Sequence, residues 1–312
     1  MSSGKPVVLV TAADLAPQAL SLLANYEVIF AGKSPTEEDI VALCRQRDPV
    51  AIIVRYSKVG AAAIAAAPSL RVISKHGSGT DTIDKDAAAA RGIEVRAAVG
   101  ANSAAVAEQA LALMLACAKS LPLLDARMRA GHWDKPTHKS LELNGRTVGV
   151  VGLGAIGLRF AHMAHAMGMQ VLGVDPFANQ VPAFVKPVQL ETLWRNADVI
   201  SLHCPLTADN RNLIDAATLA KCKRGVIIVN TARGGLIDEA ALLGAVRAEQ
   251  VRSAGLDSFA VEPMVPGHPF QNEPRILLSP HIGGVTSDAY VNMGIAAARN
   301  ARAVIEGATV DA

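Results

Sequence analysis

Residues 146–175 read RTVGVVGLGAIGLRFAHMAHAMGMQVLGVD, and this stretch decides the fold. Its apolar, β-branched run at residues 148–151 predicts a buried strand, because such runs pack well inside a sheet. A helical pattern continues to about Met167, and a second apolar run at residues 171–174 leads into Asp175. The stretch is therefore predicted to form one strand–turn–helix–strand unit of an α/β fold.

The turn of this unit carries three glycines with the spacing Gly152-x-Gly154-x-x-Gly157, which is typical of dinucleotide binding. Gly152 permits a tight turn, Gly154 lets the backbone approach a pyrophosphate, and Gly157 lets the helix pack closely on the strand. The helix N-terminus adds free N–H groups and a partial positive charge. An ordinary glycine turn is the alternative, but the coincidence of strand, turn, helix and second strand favours a dinucleotide site.

Asp175 favours NAD over NADP as the dinucleotide. It lies 18 residues after Gly157, where its carboxylate can accept hydrogen bonds from both ribose hydroxyls. A 2′-phosphate would meet the negative charge of Asp175, and no arginine follows directly, since the next residues are Pro176 and Phe177. The sequence therefore predicts an NAD site.

Composition argues against several classes of protein. The 312 residues are too many for one typical core, so two domains are expected. A formal net charge of +2 gives no reason to expect binding to nucleic acid or to a membrane. The four cysteines are scattered without a CxxC pair, which fits neither a metal site nor a disulfide framework and indicates a reducing compartment. With no signal peptide and no apolar stretch long enough to span a bilayer, we expect a cytoplasmic protein.

The first hundred residues alternate between strand and helix patterns, which predicts a parallel sheet with helices on both faces. Functional loops are expected where the strands end, and the polar segments RYSK at 55–58 and KHGSGTD at 75–81 are of this kind. Residues 103 to about 128 are predicted to be helical, with Pro122 breaking or kinking the helix. A final helix, predicted over residues 287–306, would return to the first domain.

Three polar residues follow predicted strands in the second half of the chain: Arg233, Glu262 and His281. Reduction of a 2-oxo acid by hydride transfer needs a cation for the carboxylate and carbonyl, a proton donor, and a carboxylate that orients the donor and favours its charged form. Arg233 supplies the cation, His281 the proton donor and Glu262 the carboxylate. Taken singly, each residue has an alternative interpretation: Arg233 as a surface charge, Glu262 as a loop charge, and His281 as a turn residue bonded to backbone.

Together with their surroundings, these residues resemble a known family. The segments GLGAIG, HCPLT, NTARGGLID, LDSFAVEP and SPHIGG, with KHGSGTDTID and NSAAVAEQALALML, are similar to those of the D-2-hydroxyacid dehydrogenases. The resemblance is nearest to the phosphoglycerate dehydrogenase and hydroxypyruvate reductase branch. It implies two doubly wound parallel-sheet domains, with an NAD-binding Rossmann domain at residues 102–284 inserted into a flavodoxin-like substrate domain at residues 1–101 and 285–312. It also implies a homodimer.

The resemblance implies substrate binding by Arg233, assistance by Glu262 and acid–base catalysis by His281. Cofactor contacts are predicted for Ser78, Gly152, Gly154, Ala155, Ile156, Gly157, Asp175, His203, Cys204, Pro205, Thr231, Ala232, Arg233, Asp257, His281, Gly283 and Gly284. Substrate contacts are predicted for Arg55, Ser57, Lys75, His76, Gly77, Ser78, Gly79, Arg233 and His281, with backbone amides around residues 76–79 holding the carboxylate. No metal ligand is predicted.

Two cations among these residues, Arg55 and Lys75, predict a substrate with a second polar or anionic end, such as hydroxypyruvate, 3-phosphoglycerate or phosphohydroxypyruvate. The alternative is that each is a solvated charge, or pairs with Asp81 or Asp84. Two other functions stay open. One is a cofactor-sensing binding protein like the family's co-repressor relatives. The other is a formate dehydrogenase-like enzyme, which is less similar because Glu262 is available as a carboxylate partner for His281.

Overall fold

The computed structural model of the protein describes residues 4–308, which fall into two compact units. The first unit consists of residues 4–102 and 284–308, and the second of residues 103–283. Each unit is built on one parallel sheet, so the predicted α/β class with two doubly wound sheets is confirmed.

The sheet of the first unit has five strands: β1 (Val7–Val10), β2 (Glu27–Phe30), β3 (Ala51–Val54), β4 (Val72–Lys75) and β5 (Glu94–Ala97). Their order is β2-β1-β3-β4-β5, which is the flavodoxin-like order. The helices of this unit are α1 (Pro17–Leu22), α2 (Glu37–Arg47), α3 (Ala61–Ala65), α4 (Lys85–Ala90) and the last helix (Ser287–Glu306). Alternate residues of β1 feed two cores, because Val8 and Val10 pack with α1 and the last helix, whereas Leu9 packs with α2 and α3.

The second unit has seven strands: β6 (Thr147–Val151), β7 (Gln170–Val174), β8 (Val185–Pro187), β9 (Val199–Leu202), β10 (Val226–Asn230), β11 (Val251–Leu256) and β12 (Ile276–Leu278). Its helices are α5 (Ser103–Lys119), α6 (Leu121–Arg129), α7 (Ala155–Ala166), α8 (Leu190–Asn196), α9 (Ala216–Lys221) and α10 (Glu239–Arg247). The strand order is β12-β11-β10-β9-β6-β7-β8, a Rossmann order with one added strand. The order reverses between β6 and β9, so a ligand crevice is expected beyond the carboxyl ends of these two strands.

The helix predicted over residues 103–128 is in fact two helices. The break lies at Ser120, whose φ of 52° is left-handed, and not at Pro122. Pro122 occupies the first turn of α6, where a helix needs no donor from that residue. The short strand β8 was not predicted, because three residues are too few to carry a periodic signal.

Within residues 4–308, no single helix is long and apolar enough to cross a membrane. In that part of the chain, α5 and α6 taken together have the necessary length and composition, but they are bent by 59° at their junction.

Candidate active site

The glycine turn after β6 is tightly packed on one side and open on the other. Gly152 has a left-handed φ of 92°, and a Cβ there would lie 2.7 Å from the backbone nitrogen of Cys204. A Cβ on Gly157 would overlap the carbonyl oxygen of Gly152, so the first turn of α7 packs directly on the glycine turn. A Cβ on Gly154, in contrast, would meet no atom within 4 Å. The open side of the turn therefore lies at Gly154.

Asp175 stands at the rim of this turn, at the end of β7. Its Oδ2 accepts a hydrogen bond of 2.8 Å from the backbone of Leu153, and its Oδ1 accepts one of 2.9 Å from Phe177. These two bonds fix the carboxylate beside the glycines. Each oxygen keeps a second lone pair with which it can accept a bond from a ligand hydroxyl.

His203 forms the wall of the turn at the end of β9. Its Nε2 lies 2.8 Å from Ser201 Oγ, and its ring centroid lies 5.0 Å from that of Phe160. Burial lowers the pKa of His203 to about 3, so the ring is neutral near pH 7. Neighbouring Cys204 is half-buried, and burial raises the pKa of its thiol. His203 can therefore contact a ligand in this crevice through its ring and its backbone, but it brings no positive charge to the crevice.

The loop that carries Arg233 is fixed by Asn230, the last residue of β10. Asn230 is fully buried; its Nδ2 donates to the carbonyl of Arg233 at 2.9 Å, and its Oδ1 accepts from Ala232 N at 3.0 Å. The guanidinium of Arg233 donates to the carbonyl of Ala232 at 2.8 Å. Sequence reasoning did not select Asn230, although it is the one polar side chain in an otherwise apolar strand.

Glu262 and His281 lie in direct contact. His281 Nδ1 is 2.7 Å from Glu262 Oε2, and Glu262 Oε1 accepts a bond of 2.8 Å from Phe259 N. The side chains of His281 and Glu262 are 48% and 35% exposed, so the pair is accessible to a small molecule. Because Nδ1 is engaged by Glu262, the other ring nitrogen, Nε2, is the one that can face a substrate.

The Arg233 loop packs on the loop that carries Glu262. A Cβ on Gly234 would overlap the backbone of Phe259, so the two loops touch through main chain. The carboxylate of Glu239, at the start of α10, adds a second restraint. Its Oε1 accepts from Ala260 N at 2.9 Å, and its Oε2 lies 3.4 Å from His268 Nε2.

A buried carboxylate, Asp257, organises the loop that carries His281. Its Oδ1 accepts from Ser279 Oγ at 2.5 Å and from Ile282 N at 3.0 Å, and its Oδ2 accepts from Gly283 N at 2.7 Å. His281 itself has a left-handed φ of 53°, a strained conformation for a residue with a Cβ. The bonds to Asp257 on both sides of His281 hold it in that conformation.

In the first unit, polar side chains gather beyond β1, β3 and β4. Arg55 Nη1 lies 2.5 Å from Asp14 Oδ1, so Arg55 forms an ion pair with Asp14. Lys75 is buried and its Nζ donates to the carbonyl of Arg55. Burial, with the charge of Arg55 nearby, lowers the pKa of His76 to about 4.

The other residues of the first unit that are predicted to contact substrate or cofactor lie after the same strands or just before the last helix. Ser57 Oγ donates to the carbonyl of Thr11 at 3.4 Å, and Ser78 Oγ donates to Asn102 Oδ1 at 3.0 Å. Gly77 has a φ of 150°. Gly284 lies against Asn102, whose Nδ2 would be 2.8 Å from a Cβ at that glycine. Among residues 4–308, no three His, Cys, Asp or Glu side chains are grouped as metal ligands would be.

Comparison with known proteins gives the family. The family model described as D-isomer specific 2-hydroxyacid dehydrogenase, NAD binding domain, matches residues 111–283. The chain is 40% identical to the hydroxypyruvate reductase of Thermotoga maritima over 285 residues, which cover 89% of this chain and 92% of that protein. The chain belongs to the D-2-hydroxyacid dehydrogenase family. The predicted family is thereby confirmed.

Other members of the D-2-hydroxyacid dehydrogenase family match over nearly the whole chain. The chain is 39% identical over 306 residues to the D-3-phosphoglycerate dehydrogenase of Mycobacterium tuberculosis, covering 97% of this chain and 57% of that protein. It thus spans little more than half the length of these phosphoglycerate dehydrogenases. The glyoxylate reductase structure from Paecilomyes thermophila is 32% identical, with a TM-score of 0.87 and coverage of 99% of this chain and 98% of that one.

The second unit has the features that NAD requires. The match to the family's NAD-binding domain establishes NAD as the cofactor, as the sequence predicted. The glycine turn leaves room for a pyrophosphate at Gly154, and no side chain caps the N-terminus of α7, so its first N–H groups face that space. Asp175 is fixed within the same crevice. These residues fit a dinucleotide.

Proposed function

We propose that this chain is an NAD-dependent D-2-hydroxyacid dehydrogenase, which interconverts a 2-oxo acid and the corresponding D-2-hydroxy acid in the cytoplasm as a homodimer. The observation that carries the proposal is the contact of 2.7 Å between His281 Nδ1 and Glu262 Oε2, with Glu262 anchored on Phe259 N. A histidine held by a carboxylate in this way is oriented for acid–base work through its other nitrogen.

The mechanism follows from the roles of three side chains. Arg233 binds the substrate carboxylate and polarises the carbonyl through its planar guanidinium. NADH, when bound, supplies a hydride to the carbonyl carbon. His281 donates a proton from Nε2 to the carbonyl oxygen during reduction, and accepts it back during oxidation of the hydroxy acid. Glu262 stabilises the imidazolium before the proton leaves and keeps the ring in position.

The polar cluster of the first unit supports a substrate with a polar group beyond the oxo acid. Backbone amides of residues 76–79 would bind the carboxylate, and Arg55, Ser57 and Lys75 would face the tail. Relatives that carry the names hydroxypyruvate reductase and D-3-phosphoglycerate dehydrogenase are consistent with such a tail. Hydroxypyruvate and phosphohydroxypyruvate are therefore the first candidates for reduction.

The test is a steady-state assay of NADH oxidation with hydroxypyruvate, phosphohydroxypyruvate, oxaloacetate, sulfopyruvate, pyruvate and glyoxylate. We expect turnover of at least one of these acids by the wild-type chain, and formation of the D-hydroxy acid. The control is His281→Ala, which should keep its circular dichroism spectrum and still bind NADH while losing turnover.

Binding of NADH without turnover of any oxo acid would contradict the proposal. That outcome favours a cofactor-sensing protein of the co-repressor type. Reduction of NAD by formate, added to the same panel, would favour the formate dehydrogenase-like alternative. Within residues 4–308, the contacts around the glycine turn and His281 favour neither alternative.

A further inference from the structure

The polar cluster beyond β1, β3 and β4 contains an acid that the predicted site does not include. Asp14 follows β1, and its Oδ1 lies 2.5 Å from Arg55 Nη1. The hydroxyl of Tyr290, in the last helix, donates to the same Oδ1 at 2.9 Å. Asp14 therefore holds the guanidinium that was expected to receive a charged substrate tail.

Arg55 is firmly held by this arrangement. Its guanidinium carbon lies 4.9 Å from the ring centroid of Tyr290 and 5.2 Å from that of Tyr56, and its backbone N–H donates to Thr11 Oγ1 at 3.1 Å. Rings at this distance stabilise a cation without neutralising it. The charge of Arg55 is balanced by the carboxylate of Asp14.

Exposure decides which of the two charges an arriving ligand meets. The side chain of Arg55 is 14% exposed, whereas that of Asp14 is 67% exposed. Lys75 is buried and directs its Nζ to the carbonyl of Arg55. Of Arg55, Lys75 and Asp14, the residue with the most accessible charge is therefore Asp14, and that charge is negative.

We propose that Asp14 is a specificity-determining residue that selects 2-oxo acids with uncharged polar tails, such as hydroxymethyl, over those with phosphate, sulfonate or carboxylate tails. This inference rests on the proposed dehydrogenase function. An anionic tail that approaches Arg55 must displace Asp14 or lie beside it, and like charges placed together disfavour binding. A tail hydroxyl can instead donate a hydrogen bond to the carboxylate of Asp14.

The test compares kcat/KM for hydroxypyruvate and phosphohydroxypyruvate in four proteins, with glyoxylate as a substrate without a tail. The proteins are the wild type, Asp14→Asn, Asp14→Glu and Asp86→Asn. Asp14→Asn keeps the size of the side chain and removes its charge, and Asp14→Glu restores the charge. Asp86→Asn removes an exposed acid from α4 and is the matched control for net charge.

We expect the wild type to prefer hydroxypyruvate. In Asp14→Asn the ratio of kcat/KM for phosphohydroxypyruvate to that for hydroxypyruvate should rise about tenfold or more, the size of a charge effect at a hydrogen-bonded site. Asp14→Glu and Asp86→Asn should keep the wild-type ratio. Glyoxylate turnover should change little in all four proteins.

Three outcomes would overturn the inference: a wild type that prefers phosphohydroxypyruvate, an unchanged ratio in Asp14→Asn, or an equal loss on all substrates. Turnover of glyoxylate in these cases leaves the proposed dehydrogenase function standing. Absence of turnover with every oxo acid overturns that function, and this inference with it.

Discussion

At the scale of single residues, the glycine turn separates positions needed for folding from positions needed for the cofactor. Gly157→Ala places a Cβ against the carbonyl oxygen of Gly152, so it should lower the free energy of unfolding of the second unit by about 1–3 kcal/mol. Gly154→Ala meets no neighbouring atom and should leave unfolding almost unchanged, while NADH affinity falls because the Cβ occupies the space next to the helix N-terminus.

Urea unfolding followed by tryptophan fluorescence and NADH titration would check this pair of variants, since Trp133 and Trp194 both belong to the second unit. The pair serves as its own control. Loss of stability in Gly154→Ala, or full stability in Gly157→Ala, would contradict the division of roles.

Asp175 should set the choice of cofactor. With NADPH its carboxylate would lose its ribose hydrogen bonds and repel the 2′-phosphate, so NADH should be favoured by roughly 2–4 kcal/mol, or about 10²-fold or more in kcat/KM. Asp175→Asn keeps an acceptor for the backbone N–H of Leu153 or Phe177, and it should reduce the preference for NADH over NADPH. Equal efficiency of NADH and NADPH in the wild type would show that this reading of Asp175 is wrong.

His281 and Glu262 should affect the rate more than binding. His281→Ala should lower kcat by about 10²–10⁴-fold, the usual range for a positioned acid or base. Glu262→Gln keeps an acceptor for Phe259 N but carries no charge beside the imidazolium, so its loss should be smaller than that of His281→Ala. Single-turnover rates and NADH affinity, measured for the wild type and both variants, would show whether each substitution lowers the rate or the binding of NADH. A fall in NADH affinity that accounts for the whole loss would argue against acid–base roles.

At the scale of elements, α10 supports the catalytic loop through its first residue. Glu239→Ala leaves Ala260 N without its acceptor and removes the contact with His268, so the loop that carries Glu262 should lose its fixed position. We expect kcat to fall about 10- to 10²-fold with little change in KM, because small displacements of acid–base groups are costly. Glu239→Gln retains an acceptor and should recover most of the rate. A loss confined to thermal stability, with kcat unchanged, would reduce Glu239 to a structural role.

The elements were largely predictable because their signals are local. Strand β6, the glycine turn and α7 follow from one apolar run, three glycines and one helical pattern, and α8 and the last helix have the predicted bounds. The break at Ser120 was not predictable, because a left-handed serine gives no compositional sign.

Asp257 and Arg55 are predicted ligand contacts, but the bonds that support the site escaped prediction for a different reason. Asp257 bonds to residues 22–26 positions away, Glu239 to Ala260 21 positions away, and Arg55 to Asp14 41 positions away. Such contacts depend on which strand ends lie side by side, and the spacing along the chain does not reveal it. Arg233, Glu262 and His281 were selected by residue type, by their positions after predicted strands and by the family resemblance, and their catalytic roles stay predictions.

At the scale of the whole molecule, each unit has a histidine with a lowered pKa and its own kind of optical probe. His76 lies in the first unit with all three tyrosines, Tyr26, Tyr56 and Tyr290, and His203 lies in the second unit with both tryptophans. Burial lowers the pKa of His76 from 6.5 to about 4 and that of His203 from 6.5 to about 3. The stability of each unit should therefore depend on pH in its own way.

The sign of the effect follows from proton binding. Between about pH 6.5 and pH 4 the unfolded chain protonates His76 and the native first unit does not, so the unfolded state binds more protons and stability falls as pH falls. Above that window, the contribution of neutral His76 to the stability of the first unit is fully present. A shift of this size corresponds to about 3 kcal/mol lost across the window.

The measurement is urea unfolding at several pH values between about 7 and about 4.5, with the tyrosine second-derivative absorbance reporting the first unit and tryptophan fluorescence the second. His76→Gln cannot take up a proton, so it should flatten the pH dependence of the tyrosine transition relative to the wild type and leave that of the tryptophan transition unchanged. His203→Gln should do the reverse. Carboxylates also titrate near the lower end of this range, but they are common to all three proteins and cancel in the differences. Parallel pH dependences of the tyrosine transition in wild type and His76→Gln would mean that His76 takes up its proton over the same pH range in the native first unit as in the unfolded chain, and that its burial does not oppose charging.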